Sequence, residues 1–337
     1  MKEFFLRLFG IQRKAVTAQQ VMTSIPATDV MTVIPSVAQA DDEELHWQIG
    51  KQVEREFESW LLKDLPDVTA PHIERTILSA LDRLVHSEMS GSHLIPRVPS
   101  VLPQILKGLR DANTSAAGLA QQIAKDVVLV AELMHEVNGA YYHPTTQITS
   151  LDHAIQILGF NGLRMLIART AFRPLIQSQS GTLTKLLAPV IWEHSDKCAL
   201  AAQILARQRN TDEFHAFLAG LLQNVGLIIA LRTVDQTGVA AGLPHSPSFL
   251  AAFFSYAGQL SCIVGTQWEF PEDVIHAVSA LTTGSRQRPL ESCLRQADQL
   301  AKIQLLINAG QAAVSVFSEA MPPNIQQCFY ELNQRQG

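Results

Sequence analysis

The sequence predicts an all-α fold, a multi-helix bundle preceded by an N-terminal helical extension. Apolar residues recur with helical three-and-four spacing through most of the 337 residues, and no convincing run alternates as a β-strand does. The segments between the periodic stretches are short, which is typical of helical bundles. The hydrophobic fraction of 47% supplies enough apolar surface for a sizeable core.

Composition excludes several classes of function. The formal net charge is −5, so no overall basic field would attract nucleic acid, and we expect no nucleic-acid partner. No stretch reaches the roughly 18 uninterrupted apolar residues that suggest a membrane span. The four cysteines lie far apart and form no CxxC pair, so we expect reduced thiols in a cytoplasmic protein. The basic cluster of Arg164, Arg169 and Arg173 is interpreted as the solvated edge of a helix.

Residues 1–40 are predicted to be an amphipathic segment followed by a linker. Residues 1–14 combine basic and apolar side chains, which favours docking onto the same chain or a weak contact with a membrane surface or partner. From residue 15 to residue 40 the only formal charge is Asp29, and Pro26 and Pro35 act as helix breakers.

Residues 41–93 are predicted to be an N-terminal extension of two helices. The acidic run 41–44 is placed at the start of the first helix, where carboxylates favour the positive end of the helix dipole. The second helix follows Pro71. Each carries one apolar stripe, and two such helices cannot bury both stripes alone, so we expect them to pack on each other and on the main body.

Residues 94–337 are predicted to be the main domain, with C-terminal helices. Ser100, Asp126 and Ser150 are each placed to cap a helix. The stretch from residue 214 to residue 228 has the spacing of one helix with a buried face, yet it contains two adjacent amides, Gln223 and Asn224. A buried amide without partners costs about 1–3 kcal/mol, so partners should exist.

Several motifs follow one another along the main domain. They are IPRVPSVLPQIL from Ile95, the Asn138–Tyr141 turn, the Trp192-x-His194-Ser195 element, FLAGLLQNVG from Phe217 to Gly226, and Trp268-x-x-Pro271. From Ile95 to roughly Lys302 the chain therefore resembles the HDOD domain, a bacterial signalling relative of the HD phosphohydrolases. The resemblance implies an all-helical bundle and a regulatory role.

The resemblance also implies where a catalytic metal would lie. Active HD enzymes bind metal through a His-Asp pair, an earlier His and a later Asp; the corresponding positions here are Gln223-Asn224, His194 and Asp298. Two neutral amides lack the nitrogen donor and the negative charge that a divalent transition metal favours. We therefore expect no metal, no cofactor and no hydrolysis, although weak residual metal binding stays an alternative.

Two interpretations explain why these four positions stay polar. His194, Gln223, Asn224 and Asp298 either satisfy one another as a buried network, or they line a remodelled pocket for a nucleotide or another small ligand.

Two other groups of residues are weaker candidates. Asn138, Tyr141 and Tyr142 are interpreted as a helix-ending turn, or as part of an aromatic groove that anchors a partner. The acids and the histidine of residues 212–215 could meet a metal, but they also fit a helix start.

The expected function is a non-catalytic module of bacterial signal transduction that acts through a separate signalling protein. Its alternatives are a small-ligand sensor and, less favoured, an active metal-dependent phosphohydrolase. An interaction module predicts a large exposed apolar patch. A sensor predicts a concave pocket near His194 and Asn224 with unpaired polar groups that point inward.

Overall fold

The structure is a computed structural model, and the part of the chain described is all-helical. It comprises residues 37–86, 127–139, 145–177, 181–238, 242–285, 288–311 and 321–334 together with Ala124, with side chains from Gly50 onward. Outside its helices this part contains only an isolated parallel bridge between Asp67 and Leu243. The predicted all-α class is confirmed.

The helices of the described residues are numbered in chain order. They are α1 (Val37–Leu62), α2 (Pro71–His86), α3 (Val127–Val137), α4 (Leu151–Gln177), α5 (Thr182–Gln208), α6 (Glu213–Leu222), α7 (Val225–Thr237), α8 (Pro247–Gln267), α9 (Glu272–Thr283), α10 (Pro289–Asn308) and α11 (Pro323–Gln334).

Helix α5 is the centre of the bundle. It packs against α4, α6, α7, α10 and α11, and its apolar stripe from Leu187 to Leu205 is almost entirely buried. Most polar side chains in the middle of α5 are buried as well, including His194 and Ser195. A polar group on this helix therefore needs a partner from a neighbouring helix.

The N-terminal helices pack on the main body rather than chiefly on each other. Helix α1 packs on α10, whereas α2 packs on α7 and α8. The link between α1 and α2 is also tied down, because the amide of Leu243 donates to the carbonyl of Pro66 at 3.1 Å. The predicted packing of the two helices on the main body is therefore found, and their mutual packing is the weaker part.

Helix α1 begins earlier than the sequence predicts. It starts at Val37, so the acidic run 41–44 lies after the first turn, and the last residues of the expected linker are helical. The segment 1–14 and the predicted caps Ser100 and Asp126 lie outside the described residues. The third predicted cap is confirmed, since the Ser150 hydroxyl accepts from the amide of His153 at 3.3 Å.

The stretch predicted as one helix across residues 214–228 is two helices. Helix α6 ends at Leu222 and α7 begins at Val225, with Asn224 at φ −99° and ψ 0° between them. The Ser261 hydroxyl donates to the carbonyl of Gln223 at 2.7 Å and accepts from the amide of Gly226 at 2.9 Å. A side chain inserted in this way replaces two bonds of the helical ladder and breaks the helix.

The basic cluster of α4 is a solvated edge only in part. Arg173 is exposed, but Arg169 donates to Asp196 at 2.6 Å, and the guanidinium of Arg164 lies 4.2 Å from the ring centre of Phe214. These partners belong to α5 and α6, which sequence spacing on α4 alone does not reveal. The interpretation is wrong for Arg164 and Arg169.

Two helical stretches are long and apolar enough, by composition alone, to cross a bilayer. In the stretch Glu213–Thr237 the most apolar window is 94% buried inside the bundle, and in Pro247–Gln267 it is 39% buried. Core helices of soluble proteins meet the same criteria, so this finding is weak evidence for a membrane span.

The cysteines are all free thiols. Cys198, Cys293 and Cys328 are buried, and Cys262 is partly buried. Burial raises the pKa of Cys262 to about 11 and raises the pKa of Cys198 further above its ordinary value. Thiols that stay protonated at neutral pH are poor nucleophiles and poor metal ligands.

Candidate functional site

Three of the four predicted site residues meet in the core between α5, the α6–α7 junction and α10. The Asn224 amide nitrogen donates to His194 Nδ1 at 2.9 Å and to the Ser195 hydroxyl at 3.0 Å. On the other side of the ring, His194 Nε2 lies 3.1 Å from Asp298 Oδ1. The mapping thus brings together residues that are far apart in sequence.

Asp298 has a second partner on its own helix. Lys302, one helical turn later, donates from Nζ to Asp298 Oδ2 at 2.8 Å and to Glu54 Oε2 of α1 at 2.5 Å. The ammonium also lies 5.7 Å from the centre of the Phe57 ring. One buried cation therefore joins α10 to the N-terminal helix.

The pKa values of the pair show how strongly each charge depends on the other. Burial alone would raise the pKa of Asp298, but the Lys302 ammonium and His194 hold it well below its usual range. Burial alone would lower the pKa of Lys302, but Asp298 and Glu54 raise it above its usual range. Both groups stay charged at neutral pH because each offsets the desolvation of the other.

Gln223 is not part of this network. Its backbone carbonyl accepts from Ser261, but its side-chain Nε2 is buried and has no hydrogen-bond partner in the part of the chain described. The side chain also interacts with the Cys198 thiol, whose pKa burial raises and Gln223 lowers. The prediction of a four-membered network is therefore right for three members, and Gln223 keeps an unused donor.

A cavity of about 800 Å³ opens beside these residues. Helix α1 forms one wall with Lys51, Glu54, Phe57 and Glu58, and α8 and α10 form most of the rest. His194, Gln223, Asn224, Asp298 and Lys302 all line it. A cavity of this size can hold a molecule as large as a nucleotide.

The site does not fit the metal that the HD superfamily uses. A cationic ammonium lies against the carboxylate of Asp298, and an amide N–H points at His194 Nδ1, so two donor atoms a metal would need already have partners. Within the described ranges, no three His, Cys, Asp or Glu side chains are grouped so as to hold a metal ion. The carbonyl oxygens of Gln223 and Asn224 cannot supply the missing charge.

Sequence reasoning missed four residues of the site: Glu54, Ser195, Ser261 and Lys302. The sequence indicates two of them. Ser195 adjoins His194 in the Trp192 motif, and Lys302 follows Asp298 by four residues, which is the spacing of a helical ion pair. Nothing in the sequence connects Glu54 or Ser261 to this place, since both come from other helices.

The weaker candidates have structural roles. The Asn138 amide donates to the carbonyls of Met134 and Ile148, and its oxygen accepts from the amide of Ile148 at 2.8 Å, so it fixes the turn after α3. Tyr141 and Tyr142 lie outside the described residues.

The predicted helix start at residues 212–215 is also structural. Asp212 caps α6 by accepting from the amides of Phe214 and His215. His215 pairs with Asp273 at 2.7 Å, and Glu213 accepts from Arg207 at 2.8 Å. Each group that could have met a metal has a protein partner.

The exposed large hydrophobic side chains of the described helices are Val127, Ile157, Leu186 and Tyr330, and each lies on a different helix. The concave pocket that a small-ligand sensor predicts is present beside His194 and Asn224.

The fold and the site define a class: an all-helical bundle with a polar site in its core, formed by His194, Asn224 and Asp298. The chain belongs to the HDOD domain family, whose model matches residues 95–283, more than half of the chain. The match ends before α10, so Asp298 and Lys302 lie beyond the matched residues. The place of Asp298 in the site rests on its contact with His194.

Relatives agree with this fold. A Geobacter sulfurreducens HDOD domain protein of unknown function is 18% identical, with a TM-score of 0.56 over 78% of this chain and 97% of its own. A Shewanella amazonensis protein whose name proposes a metal-dependent phosphohydrolase is 16% identical, with a TM-score of 0.54 over 79% and 100%. A Marinobacter aquaeolei protein whose name proposes signal transduction is 19% identical, with a TM-score of 0.53 over 81% and 66%. At these identities the likeness shows the fold alone.

A curated relative from Treponema pallidum is 23% identical over 193 residues. The aligned region is 55% of this chain but only 37% of that protein, which is described as uncharacterized. The shared part is thus about the size of the HDOD domain.

Glu58 makes the stability of this region depend on pH. Burial and the neighbouring Glu54 raise the pKa of Glu58 to about 7, against an ordinary value of 4.5. A raised pKa means that the folded protein holds this proton more tightly than the unfolded chain, so the stabilisation is complete below pH 4.5 and is lost as pH rises through 7. We expect Glu58→Gln to leave the free energy of unfolding unchanged at pH 4.5. At pH 8 the variant should raise it by about 1 kcal/mol, after allowance for solvent screening.

Urea unfolding at several pH values would measure this difference. Glu56→Gln, on the same helix, is the matched control, and its effect on the free energy of unfolding should not increase with pH. A gap between the Glu58 variant and the wild type that does not widen between pH 4.5 and pH 8 would contradict the assignment.

Proposed function

We propose that this HDOD protein is a non-catalytic regulatory module of bacterial signal transduction, which acts in the cytoplasm through a separate signalling protein. The observation that carries the proposal is the Lys302 ammonium bound to Asp298, at the position where a metal would have to bind. The name of the Marinobacter aquaeolei relative supports the regulatory part.

The chemistry of hydrolysis supports the non-catalytic part. HD-type hydrolysis uses a bound metal to lower the pKa of the attacking water to about 7. Lys302 already supplies the positive charge beside Asp298, and an ammonium has no open coordination position for a water. The His194 ring is held by Asn224 and Asp298, so no side chain of this group is left to activate water.

Metal titration of designed variants tests the proposal. We expect no stoichiometric zinc, manganese or iron in the wild type and no turnover of phosphate esters. Replacing both amides, Gln223→His with Asn224→Asp, should increase the affinity for metal only a little while Lys302 remains. Adding Lys302→Met should tighten metal binding at least about tenfold over the double variant, because the competing cation is gone.

A matched control uses a glutamine of α5 instead, Gln203→His with Lys302→Met, which should not gain metal affinity. The proposal is wrong if the purified wild type holds stoichiometric metal or hydrolyses phosphate esters at a rate that depends on added metal.

A second candidate function, binding of a small ligand without turnover, is favoured by the cavity. It is about 800 Å³ in volume, and it is lined by Gln223, whose buried Nε2 has no partner in the part of the chain described. A buried donor without an acceptor is costly, and a ligand acceptor would remove that cost.

A further inference from the structure

Lys302 has two carboxylate partners that differ in burial and in the helix they come from. Asp298 is buried and lies on the same helix, where it also contacts His194. Glu54 reaches Lys302 from α1, and 47% of its side chain is exposed. Of the two, Glu54 can leave the ammonium at lower cost, because its carboxylate can be hydrated without unfolding the core.

The cavity wall around Lys302 offers further donors to an acceptor. Gln223 contributes the buried amide N–H that has no hydrogen-bond partner among the described residues. The basic side chains of Lys51 and Arg295 also line the cavity, although Arg295 already donates to the carbonyls of Ala280 and Ser285. The acidic side chains there are Glu54, Glu58 and Asp298, so the two signs are balanced in number. The raised pKa of Glu58, about 7, leaves that carboxyl only partly charged at neutral pH.

We propose that the cavity binds a small anion, through a carboxylate or phosphate group that replaces Glu54 on Lys302, and that Glu54 is a built-in competitor for this site. The inference rests on the second candidate function, ligand binding, and adds the ligand's charge and the residue that opposes it. The anion would accept from the Lys302 ammonium and from Gln223 Nε2, while Asp298 keeps its bond to Lys302.

Competition within the chain has a definite consequence for affinity. The anion binds only the fraction of molecules in which Glu54 has left Lys302, so the apparent affinity is reduced by that fraction. Removing the Glu54 charge should therefore tighten anion binding. A cavity selective for a cation would show the opposite, because Glu54→Gln would remove an attractive charge.

Calorimetric titration of the full chain with inorganic phosphate and, separately, with succinate tests the proposal. We expect Glu54→Gln to bind at least one of the two probes on the order of tenfold more tightly than the wild type. Gln223→Leu in the Glu54→Gln background should weaken that binding again. The probe that binds more tightly tells whether the site favours a phosphate or a carboxylate group.

Two variants of α1 serve as controls. Glu56→Gln should leave the affinity unchanged, and Glu58→Gln should tighten binding less than Glu54→Gln, since Glu58 does not bond Lys302. Urea unfolding of each variant checks that it is folded.

Unchanged or weaker binding in Glu54→Gln overturns the inference, as does the absence of saturable binding of both probes in every variant. Neither result touches the non-catalytic proposal, which stands or falls on the metal titration.

Discussion

Replacing Lys302 with methionine is expected to lower the free energy of unfolding by about 3–5 kcal/mol. Methionine matches the length of lysine but carries no charge, so Asp298 would stay buried without its main cationic partner. The low pKa of Asp298 depends on this partner, and the desolvation that opposes ionisation would no longer be offset. Glu54 would also lose its link to α10.

A double-mutant cycle separates the lost pair from the lost packing. Asp298→Asn combined with Lys302→Met removes both charges, and the double variant should be clearly more stable than the sum of the two single effects predicts. Lys185→Met, at an exposed position of α5, is the matched control and should stay within about 0.5 kcal/mol of the wild type.

Urea unfolding at neutral pH is the measurement for the cycle. A loss below about 1 kcal/mol for Lys302→Met would contradict the assignment of a buried, mutually dependent pair. The same result would remove the basis for treating Lys302 as the internal cation of the site.

Gly226→Ala is expected to destabilise the protein by about 3 kcal/mol or more. A Cβ at this position would overlap the carbonyl oxygen of Ala257 and would lie 2.5 Å from the amide nitrogen of Ser261. Both atoms belong to the backbone of α8, so no side chain can turn away to make room. The change would also disturb the bond from the Gly226 amide to the Ser261 hydroxyl, on which the α6–α7 break depends.

Gly162→Ala is the matched control for this prediction. Gly162 is also helical, but the atom nearest to its added Cβ would be Leu158 Cβ at 3.2 Å, a tight contact that needs a shift of only a few tenths of an ångström. Because alanine favours the helical conformation more than glycine does, Gly162→Ala should leave the free energy of unfolding unchanged or raise it by up to about 1 kcal/mol. Equal thermal unfolding midpoints for the two variants would show that α7 and α8 can separate at no cost.

The helices and their buried faces were predictable because helical periodicity is a local property. The stripe of α5 from Leu187 to Leu205 and the cap at Ser150 lie where the spacing places them. The break at Gln223-Asn224 was not predictable, because a hydroxyl from α8 causes it. The packing of α1 and α2 was predicted only in part, since an apolar stripe does not identify the surface that covers it.

The site was predictable to the extent that family motifs carry it. The positions His194, Asn224 and Asp298 follow from the resemblance, and the structure brings them together. Lys302 stood four residues from Asp298 with a recognisable spacing, but spacing alone does not distinguish a surface ion pair from a buried one.

By itself the sequence determined the helical class and most buried faces, because these depend on residue type and on spacing along one helix. The amides at two expected metal-ligand positions were implied by the family resemblance. Only the tertiary structure decided which group compensates Asp298, which hydroxyl breaks the helix at Gln223-Asn224, and which wall closes the cavity. Those outcomes depend on residues such as Glu54, which lies 248 positions before Lys302, and on the low dielectric of the core, where each charge needs a partner within bonding distance.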